Sequence, residues 1–580
     1  MKKHKKILYS LLIVFLIFLT VFIVYWFITP NPTWLVQKAK QQSFAWVIYD
    51  RNGKTIFHDD HPVYMPLTEI PKTIRDLVVF FEDGNFYQTP GFDLPSIITR
   101  IAKWEGGGSG LEMQLVRYWT GRRDSTLDRK LTEMMLGLKM NVVLSKAQIL
   151  ETYLNIASFA GPCGIYNAAE YYFGKTPAQL ALNEIVYLVA VLPGRKDANG
   201  RFYRYVRRLQ SAHIIDEQLF IPTLRLHISN VPYSGVYVDH CLDEIYGTPN
   251  IKFDLRDGLA IYTTLDKELN DRIGQLISQE EYYAARNGSI LHVSFLLTNQ
   301  DGEVLSYIVR GSNRIGSYDD LFSKSSLPAS RFKVVVYGLW INKLIGEGKK
   351  NGFENIQLPL IFKYPNSRKV VRDRYKGKMA LAAIAVAHSF NAPPLYIANE
   401  VVGLKPVIDF CRLYEVHLKQ YPSLALGAQN IRESDLLRFF MTFIGDGQIH
   451  DLRFIKSAEN EETGEMYVAD NLPLHIQVID PAVPQIMRGL LSNALEGTSK
   501  GLLKSDIIKT DLKNGSLKIY NKTGTGNWNQ FGCTGAFSWK NNRIFFYTLK
   551  VEALTKKYNA SADVAVPILK DIIEVAIKTL

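Results

Sequence analysis

Apolar and polar positions divide the chain into stretches of different period. Ile7–Ile28 is a mostly apolar run of 22 residues with no charged side chain. At about 1.5 Å per residue, a helix of that length reaches about 33 Å, enough to cross the hydrocarbon core of a bilayer. Lys2, Lys3, Lys5 and Lys6 precede it, and it ends Trp26-Phe27-Ile28-Thr29-Pro30 without a small-residue cleavage pattern. This predicts an uncleaved anchor, N-terminus inside and the rest of the chain outside, with Trp26 and Trp34 at the far interface. From about Pro66 to Arg195 the pattern is mainly helical. Ser145-Lys-Ala-Gln148 is a capping box opening a helix through Asn155. Thr176-Pro-Ala-Gln179 opens another, with Pro177 at its first position and a stop at Pro193. From Ile261 onward strands enter. Ile290–Thr298 and Glu303–Arg310 flank a turn at Asp301-Gly302. Lys518–Thr525, Cys533–Trp539 and Arg543–Val551 read as antiparallel strands, with a turn at Asn541-Asn542, and a helix from about Ser561 closes the sequence. The expected organisation is tail and anchor over 1–28, linker over 29–65, a helical domain over 66–196, a connector without clear motif over 197–258, and an α+β domain over 259–580.

Composition narrows the partners. The chain has 580 residues, 47% hydrophobic and 21% charged, which fits several packed domains and excludes disorder. A net charge of +12 favours an anionic partner: nucleic acid, anionic lipid, or a phosphorylated or carboxylated polymer. No glycine-aromatic repeat or zinc-finger spacing is present, so no nucleic acid is expected. Cys163, Cys241, Cys411 and Cys533 are scattered without a C-x-x-C pair. They read as buried thiols, with one disulfide left open for domains outside the cytoplasm.

The helical part carries acids beside cations. Glu82-Asp83 follows the apolar stretch Leu77–Phe81, which reads as a helix end and suits a general base. A glycine-rich loop, Gly106-Gly-Gly-Ser-Gly110, comes next, followed by Arg117, Arg122, Arg123, Arg129 and Lys130. Glu133 lies one turn beyond Arg129 and Lys130, so the three can share a helix face. Taken singly, the Arg129–Glu133 spacing is most often a solvated pair worth about 0.3–0.5 kcal/mol. Together, two carboxylates, several cations and a loop suit transfer from a pyrophosphate donor: one acid deprotonates the acceptor hydroxyl and the cations neutralise the leaving group.

The second part carries a serine–lysine constellation. Ser330-Arg-Phe-Lys333 opens an apolar helix, Val334–Leu344, placing Ser330 and Lys333 about one turn apart. A desolvated lysine there can take the serine proton. Ser389-Phe-Asn391 follows a helical stretch, Met379–His388, and Lys522-Thr-Gly-Thr525 ends a strand. Backbone N–H groups of Ser330 and Thr525 are expected as an oxyanion hole, and Gly524 as the place where substrate lies against the strand.

The order of the first set resembles the family 51 peptidoglycan glycosyltransferases. The matching residues are Glu82-Asp83-x-x-Phe86 ending at Gly91; Gly107-Gly-Ser109 with Gln114; Arg129-Lys130-x-x-Glu133; and Lys146-x-x-Ile149-Leu-Glu151-x-Tyr-Leu-Asn155. The resemblance implies a mainly α, lysozyme-like domain acting on lipid II. In it Glu82 is the base for the acceptor sugar's 4-hydroxyl and Glu133 assists at the donor. Arg117, Arg129 and Lys130 hold the pyrophosphate, and Asp83, Phe86, Ser109, Gln114 and Glu151 lie in the substrate site. It implies no tightly bound cofactor and leaves room for a divalent cation, Mg or Mn. Thr89 stands where the family's first motif usually has histidine, and Gly110 and Glu112 replace two usual threonines.

The second set resembles the transpeptidase domain of class A penicillin-binding proteins, and its flanks, Leu327-Pro-Ala-Ser-Arg-Phe-Lys333 and Leu424-Ala-Leu-Gly-Ala-Gln429, agree. The implied fold is α+β and β-lactamase-like, helices packed on an antiparallel sheet. Ser330 is the implied nucleophile on a D-Ala-D-Ala bond and Lys333 its base. Ser389, Asn391 and Lys522 relay protons and position peptide; Thr523, Gly524 and Thr525 bind substrate. β-Lactams are implied inhibitors, nascent peptidoglycan and the membrane implied partners, and other cell-wall synthesis proteins are open as partners. After Thr525 the chain reads Gly526-Asn-Trp-Asn-Gln-Phe-Gly-Cys533, away from the family's aspartate-alanine-tryptophan-phenylalanine stretch. Two other readings stay open: a C-terminal domain that only senses peptidoglycan or β-lactam, and an inert scaffold.

Overall fold

The computed structural model describes residues 20, 26–27, 31–41, 46–58, 63–91, 110–120, 127–157, 159, 164–192, 198–215, 237, 240–241, 244–245, 259–278, 290–311, 321–322, 325–365, 367–460, 464–468, 476–526, 530–540, 542–553 and 560–580. The anchor predicted over residues 7–28 lies almost wholly outside the described residues. No described helix is long and apolar enough to cross a membrane.

The helical half is built from α1 (Thr33–Gln41), α2 (Lys72–Glu82), α3 (Leu111–Thr120), α4 (Leu127–Val143), α5 (Lys146–Ile156), α6 (Ile165–Phe173), α7 (Leu182–Val191) and α8 (Ala198–Ser211). One core joins them: Ile74, Val78, Leu111, Leu115, Ile149, Leu154, Val186, Leu188 and Leu209 are all buried in it. Each such side chain contributes about 1.5–3 kcal/mol relative to exposure. Trp34, expected at a membrane interface, packs partly buried against this core. The Ser145 capping box opens α5 as predicted. The box at Thr176 opens only the short 3-10 turn Pro177–Gln179. The continuous helix expected there breaks because Glu184 reaches back to the Ala181 N–H at 2.8 Å and starts α7 anew.

The second half centres on a five-stranded antiparallel sheet. Its strands are β4 (Ile290–Asn299), β5 (Val304–Gly311), β8 (Leu517–Thr525), β9 (Gln530–Trp539) and β10 (Arg543–Ala553), in the order β8-β9-β10-β4-β5. Val293, Phe295 and Leu297 face one layer, containing α9 (Lys267–Ser278) and α13 (Ser561–Thr579), and Leu296 faces the other. That second layer contains α10 (Lys333–Gly346), α11 (Ala392–Tyr396) and α12 (Glu433–Met441). The alternation is the period-two pattern of a strand buried on both faces. Met379–His388, expected as helical throughout, begins as a short strand, Met379–Leu381, paired with Gln357–Pro359, and turns helical only at Ala382.

A smaller sheet joins distant parts of the chain. β1 (Trp46–Tyr49) and β2 (Thr55–His58), from the segment read as a linker, pair with β3 (Leu259–Thr263), β6 (Ile455–Asn460) and β7 (Met466–Val468) in the order β7-β6-β3-β1-β2. β1 runs parallel to β3, with Ile48 beside Ile261. Cys241, Cys411 and Cys533 are buried free thiols, and burial pushes Cys533 up to about 12.

Candidate active sites

In the helical half, α2 ends at Glu82, whose side chain is only 3% exposed. Its carboxylate is ion-paired to Arg201 Nη2 at 2.5 Å. It also accepts from the Tyr205 hydroxyl at 3.3 Å and from Gln114 Nε2 at 3.4 Å. Tyr153 OH in turn donates to Gln114 Oε1 at 2.9 Å. Arg201 and Tyr205 sit one turn apart on α8, in the segment where sequence reasoning found no motif. Arg201 also donates to the Leu192 carbonyl, and Tyr205 stacks on Phe81 with ring centroids 3.8 Å apart. Their i, i+4 spacing was the only available signal. Replacing Arg201 with Met frees Glu82 to turn, and glycan polymerisation by the variant is expected to fall about 10- to 100-fold. Rates measured with lipid II check this, and an unchanged rate contradicts it.

The second acid lies in a cationic nest. Glu133, 1% exposed, accepts from Arg117 Nε at 2.8 Å, from Arg129 Nη1, and from Lys130 Nζ at 3.4 Å. Burial, with repulsion from Arg117 and Arg129, lowers Lys130 despite the pull of Glu133. The three cations expected on a pyrophosphate thus converge on Glu133. This nest does not fit a divalent cation, since both carboxylate oxygens are taken and three positive charges surround them. Among the described residues no group of three His, Cys, Asp or Glu could hold a metal ion.

The other predicted positions are distributed around these acids. Asp83 Oδ2 accepts from the Leu111 N–H at 3.0 Å and caps α3. Phe86 is fully buried, with Lys146 Nζ 4.5 Å from its ring centroid, so it is a core residue and presents no surface to substrate. Glu151 accepts from Tyr64 OH and from the Leu67 N–H at 2.7 Å. It anchors the chain ahead of α2, and no hydrogen bond ties it to Glu82 or Glu133. Ser109, Arg122 and Arg123 lie outside the described residues.

In the sheet half, the 3-10 turn Ala329–Phe332 carries Ser330 and leads into α10. Ala329 has φ +49°, strained for a residue with a side chain. A Cβ on Gly427 would collide with the Ala329 carbonyl, so the two matching flanks meet at this turn. Lys333 is fully buried. Its ammonium nitrogen reaches the Ser389 carbonyl at 2.7 Å, the Phe390 carbonyl at 3.0 Å, Asn391 Oδ1 at 2.7 Å and Ser389 Oγ at 3.4 Å. Lys522 Nζ, on β8, donates to Ser389 Oγ at 2.6 Å and to the Thr523 carbonyl at 3.0 Å. Ser389 therefore bridges the two lysines. No hydrogen bond joins Ser330 to Lys333 among the described residues; their proximity follows from the turn alone.

Burial pushes Lys333 well below the usual lysine value, the charge of Lys522 lowers it further, and Asp373 opposes both. Burial lowers Lys522 to about 7. Asp373, which sequence reasoning missed, accepts from the Asn391 N–H at 2.9 Å and the Ala392 N–H at 2.7 Å, holding the Ser389–Asn391 loop at the start of α11. A base must be neutral to take a proton, so acylation by a penicillin should rise with pH and level off far below 10.5. Asp373→Asn removes a charge that favours protonated Lys333 and should move this limb to lower pH. Lys522→Gln removes a repelling charge and should move it to higher pH. Acylation rates against pH for the two variants check the signs; shifts in the same direction contradict them.

One expectation at the strand end changes. A Cβ on Gly524 would lie 2.7 Å from the Pro328 carbonyl and 2.8 Å from Arg331 Cγ, so this glycine makes room for the nucleophile turn rather than for substrate. The Thr525 hydroxyl is held by Ser561 at the start of α13, accepting from its N–H at 2.9 Å. Thr523 is 6% exposed. Beneath the turn, Arg331 makes a buried pair with Glu433, Nη1 to Oε2 at 2.5 Å and Nη2 to Oε1 at 2.8 Å. Burial alone would raise the Glu433 carboxyl, but Arg331 outweighs it and holds it below 4.5. The stability this pairing contributes is present above that value and is lost as pH falls through the lowered one. Glu433→Gln leaves the guanidinium uncompensated and should destabilise the protein by about 3–5 kcal/mol, read from denaturant unfolding.

The Transglycosylase family model matches residues 51–213, which contain both acids and Arg201. The chain is 25% identical over 517 residues to penicillin-binding protein 1F of Bacillus subtilis (strain 168), covering 82% of this chain and 70% of that one. It is 23% identical over 582 residues to penicillin-binding protein 1A/1B of the same organism, covering 90% and 60%. With penicillin-binding protein 1A of Aquifex aeolicus (strain VF5), identity is 27% over 344 residues, covering 53% and 47%. A helical transglycosylase half joined to a sheet-built half with a serine–lysine site defines a two-centre class of enzyme. Within that class the chain is similar to the class A penicillin-binding proteins, through its Transglycosylase match and its likeness to penicillin-binding proteins 1F and 1A/1B.

Proposed function

We propose that the protein polymerises lipid II into glycan strands and cross-links their stem peptides. The observation carrying this reading is that each half assembles a full set of chemical groups. In one, Glu82 and Glu133 are linked through Gln114 and Arg117 of a single helix. In the other, Lys333, Ser389, Asn391 and Lys522 share one hydrogen-bonded cluster.

At the first centre Glu82 takes the proton of the acceptor sugar's 4-hydroxyl, whose oxygen attacks the anomeric carbon of the growing chain. The bond to the undecaprenyl pyrophosphate breaks, and Arg117, Arg129 and Lys130 neutralise the charge it carries away. At the second, neutral Lys333 takes the Ser330 proton as Ser330 Oγ attacks the D-Ala-D-Ala carbonyl. Ser389, between Lys333 and Lys522, passes a proton to the leaving D-alanine. An amine of a neighbouring stem then attacks the ester and Ser330 regains its proton. β-Lactams take the place of the D-Ala-D-Ala unit.

The apolar run Ile7–Ile28 supports a single-pass anchor in the cytoplasmic membrane, with both centres outside. Lys139 Nζ, on α4, donates to the Trp26 carbonyl at 2.6 Å, tying the end of that run to the helical half. Lipid II, nascent peptidoglycan and other cell-wall synthesis proteins are then the partners. Purified protein given lipid II should yield glycan ladders on gels and cross-linked muropeptides after digestion; absence of both refutes the proposal.

A further inference from the structure

We propose that the buried Glu112–Lys146 ion pair is a positioning strut that sets the distance between the two acids of the polymerising centre; this rests on the proposed glycosyltransferase reading. Helix α3 reaches both acids, Gln114 to Glu82 and Arg117 to Glu133. Its first turn must therefore be fixed. Glu112, in that turn, is fully buried and its Oε1 lies 2.6 Å from Lys146 Nζ. Lys146, the first residue of α5, also donates to the Thr89 carbonyl at 2.8 Å. One ammonium group thus ties α3, α5 and the loop that follows Glu82. Glu112 Oε2 is buried with no hydrogen-bond partner, so the carboxylate depends on Lys146 for compensation.

The neighbouring glycines fit the same joint. A Cβ on Gly110 would come within 2.5 Å of Asp83 Oδ2, the oxygen that caps α3. A Cβ on Gly91 would come within 2.5 Å of the Gly137 carbonyl on α4, one turn beyond Glu133. Thr89, Gly110 and Glu112, three separate departures in the sequence, therefore meet in one place. Position 89 contributes only a backbone carbonyl, Gly110 the room for Asp83, and Glu112 the charge. Neither Glu112 nor Lys146 is asked to touch substrate.

The test uses the full chain with Glu112→Gln, Lys146→Met, the double variant and Lys146→Arg. Lipid II polymerisation is followed over a range of substrate concentrations, with fluorescent penicillin acylation on the same samples. Each neutralising single variant is expected to lose about tenfold or more in kcat with little change in KM, while penicillin acylation holds. The double variant should retain about fivefold more activity than the product of the single losses predicts, because neither charge is then left alone. Lys146→Arg should stay within about threefold of wild type. Wild-type rates in both neutralising variants, a loss confined to KM, a double variant at the product of the singles, or Lys146→Arg failing as badly as Lys146→Met would each overturn the strut. Failure of the wild-type protein to polymerise lipid II would instead count against the glycosyltransferase reading itself.

Discussion

Ser330→Ala should take up no fluorescent penicillin and form no cross-links, a loss of at least about 10⁴-fold, while glycan polymerisation continues. Lys333 is fully buried and held by four oxygens of Ser389, Phe390 and Asn391, so removing the hydroxyl leaves the basic cluster in place. The loss is then one of nucleophile, not of fold. Gel fluorescence and muropeptide analysis on one preparation read both centres. Residual labelling would move the acylated atom elsewhere in the chain.

Glu82→Gln should lower lipid II polymerisation by about 10²–10⁴-fold, the range for loss of a positioned base, with penicillin labelling at wild-type level. Gln is close to Glu in shape and can still meet Arg201, Tyr205 and Gln114. What it lacks is the capacity to take the acceptor proton. Glycan output measured against wild type decides it, and equal output removes Glu82 from the role of base.

The motifs were readable because their chemistry is local or strictly ordered. Ser330 and Lys333 share one turn, Arg129, Lys130 and Glu133 share another, and the Ser145 cap marks its own helix. The groups that orient them were not readable. Arg201 meets Glu82 across 119 positions, and Arg331 meets Glu433 across 102. Asp373 reaches Asn391 across 18, but as a carboxylate on backbone N–H groups, which any residue except proline at 391 would present. The joining sheet escaped notice because four- or five-residue strands such as β1 and β3 have no periodicity of their own, and only pairing makes them strands. The role expected for Gly524 changed because a glycine records that something lies close and not what it is; here it is the Pro328 carbonyl together with Arg331. Phe86 and Glu151 keep their motif positions while working in packing and anchoring.

The most direct measurement is a single lipid II reaction with purified full-length protein, run with and without penicillin, in which glycan length and released D-alanine are followed together. Two separate centres in one chain predict unchanged glycan length and abolished D-alanine release when the drug is present. Loss of glycan synthesis along with D-alanine release, or D-alanine release that persists in the drug, would contradict it.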